Sequence, residues 1–158
     1  MIALLLLTSL AHAPMGNFRF VDAVCDDLNA EEQQVEVACD IEKYAREKGV
    51  HEPWFIKGLI ANAYAESELD TGAVSRGKTS YGVFQLHVDG MGYGWSKEDM
   101  KDVKKSTIAI INEAKSKGIY KKKMNPKSAT AFLCKKVLRP KNIEEQVEKR
   151  THLLEKLF

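Results

Sequence analysis

The sequence predicts a mainly α domain interrupted by one loop-rich insertion with a short β-hairpin, and three observations carry that prediction. Apolar residues recur at three- and four-residue spacings through most of the chain beyond Glu31. Capping residues and glycine or proline stops divide the pattern into segments of helical length. Between Asp70 and Gly94 the pattern gives way to a Gly/Ser/Asp-rich stretch too irregular for a helix. The 158 residues are 44% hydrophobic and 29% charged, which fits one globular domain and excludes a disordered, collagen-like or multispan membrane chain. A chain of this length can bury a core without metal or disulfide staples, and no internal repeat divides it.

At the start, Met1–Ala13 is an apolar run ending in Ala11-His12-Ala13, whose small residues match an export-signal cleavage site. The run is too short to cross a bilayer as a helix, and no Lys or Arg precedes it. Cleavage after Ala13 would leave one domain, residues 14–158, exported to the periplasm or the medium and with no stable membrane insertion.

Glu31 to Lys48 reads as a helix with Val35, Ala38, Ile41, Tyr44 and Ala45 on its apolar side and Gly49 as its stop. Pro53 suits the first turn of a second helix reaching about Ser67. That helix is apolar nearly all round, so it belongs in the centre of the fold. Ser80–His87 is placed as a strand or hairpin within the insertion, and Ser96 with Asp99 forms a capping-box signature for a further helix. Ser106 is expected to cap Thr107–Lys117, closed by Gly118. Asn125-Pro126 opens a helix ending near Arg139-Pro140, and Asn142 with Glu145 opens the last one. Ile143, Val147, Leu154 and Phe158 share a face of that last helix.

The formal net charge of +2 hides a segregation. Residues 1–100 carry 8 bases and 16 acids, residues 101–141 carry 13 bases and 2 acids, and the remainder carries 3 bases and 4 acids. Such asymmetry points to an anionic partner. Nucleic acid fits poorly, because aromatic residues are not interleaved with the run Lys121-Lys122-Lys123 and its flanks. Cys25, Cys39 and Cys134 allow one disulfide and a spare thiol in three pairings. If a bridge forms, the entropy of closing a long loop favours one that reaches Cys134. The spacings match no zinc site, and His12, His51, His87 and His152 are too dispersed for a metal centre. No metal or cofactor is expected.

Glu66 is the leading candidate for chemistry. It lies at the carboxyl end of the most apolar helix, immediately before the polar insertion. Apolar surroundings and the negative end of a helix both favour the protonated form, as a general acid requires. Ala63-Tyr64-Ala65-Glu66-Ser67-Glu68-Leu69-Asp70, followed by Gly82-Val83-Phe84-Gln85 beginning 16 residues after Glu66, resembles the catalytic core of the lysozyme superfamily. The pattern is similar to the goose-type lysozyme and lytic transglycosylase branch. Gln85-Leu86-His87 leading into Gly90-Met91-Gly92-Tyr93-Gly94, with Phe132, Arg139-Pro140 and Arg150, looks like phage tail lysozyme and endolysin domains.

The resemblance implies a lysozyme-like α+β fold, with the hairpin beside a catalytic cleft. It implies a monomeric muramidase that cleaves the β-1,4 bond between N-acetylmuramic acid and N-acetylglucosamine in peptidoglycan, encoded by a bacterium or a phage. Glu66 would be the general acid, Ser67 would orient a carbonyl or the sugar, and Gln85 would shape the cleft. Tyr81, Phe84 and Tyr93 are candidate surfaces for sugar rings, each equally at home in ordinary packing. The chain departs from the goose-type pattern where an acidic residue two places after the Gln positions water, because His87 stands there. Asp89 is then the best substitute carboxylate, and His87 is either a base or a backbone-bonded loop residue. Without a second carboxylate, a lytic transglycosylase giving 1,6-anhydro products is the alternative. A non-catalytic wall-binding or assembly module, or an endopeptidase on the same scaffold, stands beyond that.

Overall fold

The computed structural model describes residues 23–119 and 123–158. The expected export segment Met1–Ala13, together with Lys121 and Lys122 of the lysine run, lies outside the described residues. The architecture is mainly α with one small antiparallel hairpin. A 3-10 turn, Val24–Asp27, leads into α1 (Glu32–Glu47) and α2 (Pro53–Ser67). The hairpin strands β1 (Ser80–Tyr81) and β2 (Leu86–His87) come next, then α3 (Lys97–Lys101) and α4 (Val103–Ser116). α5 (Pro126–Phe132) runs directly into a π-helical turn, Leu133–Leu138, and α6 (Ile143–Leu157) follows.

α2 is the hub, as its composition predicts. Phe55, Ile56, Leu59, Ile60, Ala61 and Ala63 are all fully buried. Burying each large apolar side chain contributes roughly 1.5–3 kcal/mol, so this helix holds much of the core energy. α5 packs against α2 so closely that a Cβ on Gly58 would sit 3.2 Å from the Ala129 Cβ. Among the described residues, no helix is long and apolar enough to cross a membrane.

Local signals explain most helix ends. In α1, the backbone N–H of Glu31 donates to Gln34 Oε1 (3.1 Å) as one half of a capping box. Ser96 accepts from the Asp99 N–H, and Asn125 accepts from the Ser128 N–H, ahead of Pro126. Two expectations at helix starts need correction. Asp102, not Ser106, caps α4, accepting from the Lys105 N–H at 2.8 Å. The helix therefore begins four residues earlier than Thr107, and Ser106 is buried inside it with its hydroxyl turned back onto the Val103 carbonyl (3.2 Å). Asn142 adopts a left-handed conformation (φ 55°) and its side chain caps no backbone N–H of α6. The buried face of α6 is also displaced from the expected one. Arg150, Thr151, Leu154 and Leu157 are buried, while Ile143 is exposed.

The disulfide joins Cys25 to Cys39, and Cys134 is the free cysteine, buried in the π turn. The expectation of a bridge to Cys134 is thus overturned. The 3-10 turn lays Cys25 against α1 with a Cα–Cα separation of 5.1 Å from Cys39, whereas Cys134 lies on the α5 side of the core. Loop entropy ranks possible bridges, but spatial proximity decides which one forms. The junction is reinforced by the buried Glu42, whose carboxylate accepts from the Cys25 N–H at 2.9 Å and pairs with Arg46 at 2.6 Å.

Candidate active site

Glu66 is the penultimate residue of α2, and its position depends on an unusual helix stop. Glu68 and Leu69 are both left-handed, at φ 56° and 64°, with no glycine to ease the turn. Each such non-glycine residue costs on the order of 1 kcal/mol. Leu69 offsets this by burial, and Gln34 Nε2 satisfies the Glu68 carbonyl at 3.0 Å. The chain therefore leaves α2 abruptly, with Glu66 facing outward from the core.

The hairpin arrives at the same place. Gly82-Val83-Phe84-Gln85 is its loop, with Ser80 paired to His87 and Tyr81 to Leu86. Gly82 (φ 74°) is required there, because a Cβ would collide with the Met100 carbonyl. Gln85, also left-handed (φ 46°), closes the loop through both its N–H (3.0 Å) and its Nε2 (2.9 Å) onto the Gly82 carbonyl. Ser67 then donates from Oγ to the Val83 carbonyl at 3.0 Å. The Glu-Ser and Gly-x-x-Gln segments are thus joined by one hydrogen bond.

A cleft of about 510 Å³ opens at this junction, within the range of small-molecule sites. Glu66 lines it together with Ser75 and Ser80, Phe84 to His87, and Gly90 and Met91. The end of the π turn and its exit, Val137 to Lys141, supply the rest of the lining. Of the sequence-predicted residues, Glu66, Gln85 and His87 line the cleft, and Ser67 acts behind it. Tyr81, Asp89 and Tyr93 do not line it. Tyr81 is buried with its hydroxyl on the Lys78 carbonyl (2.6 Å), and Tyr93 is 80% exposed. Asp89 is exposed, and its backbone N–H occupies His87 Nδ1 at 3.1 Å, leaving only Nε2 of that ring for a ligand. A second depression, of about 580 Å³ on the α5–α6 surface, is lined mainly by charged groups that pair with each other, such as Lys127 with Glu155 at 3.0 Å. It offers less to a ligand than the cleft at Glu66.

Beneath Glu66 lies a polar centre that corrects the expected apolar surroundings. Arg150 of α6 is 2% exposed and donates from Nη2 to Glu66 Oε1 at 2.7 Å. Its Nη1 donates to Asn62 Oδ1 at 3.1 Å, and Asn62 Nδ2 reaches the carbonyls of Gly58 (2.8 Å) and Thr130 (3.2 Å). One asparagine and one arginine therefore tie α2, α5 and α6 together under the carboxylate. The guanidinium offsets the unfavourable placement of a carboxylate at the negative end of α2. Arg150 Nε has no partner among the described residues. Cys134 lies within electrostatic reach of both charges, and burial pushes its thiol above the ordinary cysteine range.

Asn62 carried no functional signal in the sequence, and Arg150 stood out only through the resemblance. An arginine 84 residues from its carboxylate partner leaves no local pattern to read. No family model, curated protein or solved structure matches this chain.

Proposed function

We propose that this chain is an exported peptidoglycan muramidase of lysozyme-like architecture, with Glu66 as the general acid. The observation that carries the proposal is the Ser67–Val83 hydrogen bond, which brings the Glu-Ser helix end and the Gly-x-x-Gln loop together at one cleft. Glu66 delivers a proton to the glycosidic oxygen as the bond to the muramic C1 breaks and positive charge develops on the ring. Arg150 holds Glu66 Oε1 from below, and no hydrogen bond among the described residues reaches Oε2, which is the oxygen left for the substrate. The Cys25–Cys39 disulfide supports an oxidising, extracytoplasmic setting.

One observation favours the transglycosylase variant of this chemistry. Among the described residues, Glu66 is the only carboxylate lining the cleft. The muramic 6-hydroxyl then attacks its own C1, its proton passes to the Glu66 carboxylate, and a 1,6-anhydro end is left. Mass spectrometry of digested, purified sacculi separates the two routes by reducing or anhydro termini. Glu66→Gln keeps an oxygen for Arg150 and is expected to stay folded while fragment release falls by about 10²-fold or more. Unchanged release would remove Glu66 from the mechanism. Wild-type protein that pellets with sacculi but releases no fragments would make the chain a binding module.

A further inference from the structure

We propose that Arg139 and Lys141 form a carboxylate-recognising subsite on the rim of the cleft. It would select glycan whose muramyl units carry carboxylates over neutral glycan of the same backbone. The inference rests on the glycosidic reading and adds a specificity determinant to it.

Both residues line the cleft with Glu66, and both are exposed. No ion pair or side-chain hydrogen bond engages either among the described residues, whereas nearby Lys135 is held by Glu144 at 3.0 Å. Glu66 cannot be their intended partner, because buried Arg150 already pairs with it. The immediate site therefore places one carboxylate against three cations, two of them facing the cleft without a partner.

The backbone holds Arg139 where it is. It is left-handed (φ 48°, ψ 55°) directly before Pro140, a conformation unfavourable for a side-chain-bearing residue and more so ahead of proline. Its N–H is fixed to the Cys134 carbonyl at 2.8 Å as the π turn ends. Strain of this kind persists where the surrounding structure imposes it, and such residues cluster at ligand sites. A planar guanidinium next to a lysine suits a carboxylate, through two parallel hydrogen bonds and a second charge.

The test measures binding of three tetrasaccharides to Glu66→Gln protein. One is neutral chitotetraose, one is a muramyl tetrasaccharide stripped of peptide to expose lactyl carboxylates, and one bears stem peptides. At least one carboxylated ligand is expected to bind about fivefold more tightly than chitotetraose at low salt, and the margin should shrink as salt rises. The arm showing the preference identifies the carboxylate. Adding Arg139→Gly and Lys141→Gln should abolish the preference and leave chitotetraose binding unchanged. Glycine also suits the left-handed backbone, so folding is preserved. Equal binding of all three, or a preference that survives both substitutions, overturns the subsite alone. No binding of any of them overturns the glycosidic reading and the subsite with it. Wild-type protein with chitobiose and the N-acetylglucosaminyl-N-acetylmuramic acid disaccharide, which contains no cleavable bond, repeats the comparison without the Glu66 substitution.

Discussion

Arg150 carries more of the site than its position in α6 would indicate. It is nearly inaccessible, it holds Glu66, and through Asn62 it is bonded to the helix that presents Glu66. Truncating one member of a buried pair leaves an uncompensated polar group, at a typical cost of 3–5 kcal/mol. Arg150→Ala is therefore expected to lower unfolding free energy by about that amount in urea titration, with Arg150→Lys losing less. Cys134 gives a second prediction at this scale. Burial raises its thiol and excludes reagents, so native protein should react with iodoacetamide far more slowly than urea-unfolded protein, even at pH 8. Equal rates would show that the thiol is accessible. Glu66 was legible in the sequence because an acid at the end of an apolar helix is a local anomaly. Its guanidinium partner was not, because only the packing of α6 onto α2 brings the two together.

Among the elements, the Gly82–Gln85 loop fixes how the hairpin meets the helices. Gly82 approaches the Met100 backbone too closely for any side chain and is left-handed as well. Gly82→Ala is expected to destabilise the fold by more than about 1 kcal/mol and to displace the Val83 carbonyl from Ser67. Thermal melting and glycan cleavage should both fall. A melting temperature equal to wild type would contradict the close approach. Helix termini divide into those the sequence showed and those it concealed. Ser96 and Asn125 were legible because a cap acts on residues two or three positions away. Ser106 misled because Asp102, four positions earlier, offers the same chemistry and begins the helix first. The end of α2 was hidden in another way, since Glu68 and Leu69 take conformations normally marked by glycine.

At the scale of the whole molecule, the disulfide and the Glu42–Arg46 pair anchor the 3-10 turn to α1, far along the chain from the cleft. A closed loop of this length is worth about 3 kcal/mol through restriction of the unfolded chain. The double substitution Cys25→Ser with Cys39→Ser should lower unfolding free energy by roughly 2–3 kcal/mol while leaving glycan specificity unchanged. A stability loss near zero would indicate that tertiary packing alone secures the turn. The charge segregation of the sequence gains a location at this scale. Its basic segment ends in Arg139 and Lys141, which belong to the cleft lining.

The π-helical turn Leu133–Leu138 sets how those two residues are presented, and it does so by chain length. A π turn accommodates one residue more than the α-helix around it. Removing a single residue there would let α5 continue in regular register and swing everything beyond it through about 100° before Pro140. Arg139 would leave the rim, and the cleft would change shape with no lining side chain replaced. Insertions and deletions in this short segment are thus a route by which the groove can be re-cut for a different polymer, one that a substitution scan of its lining would never sample.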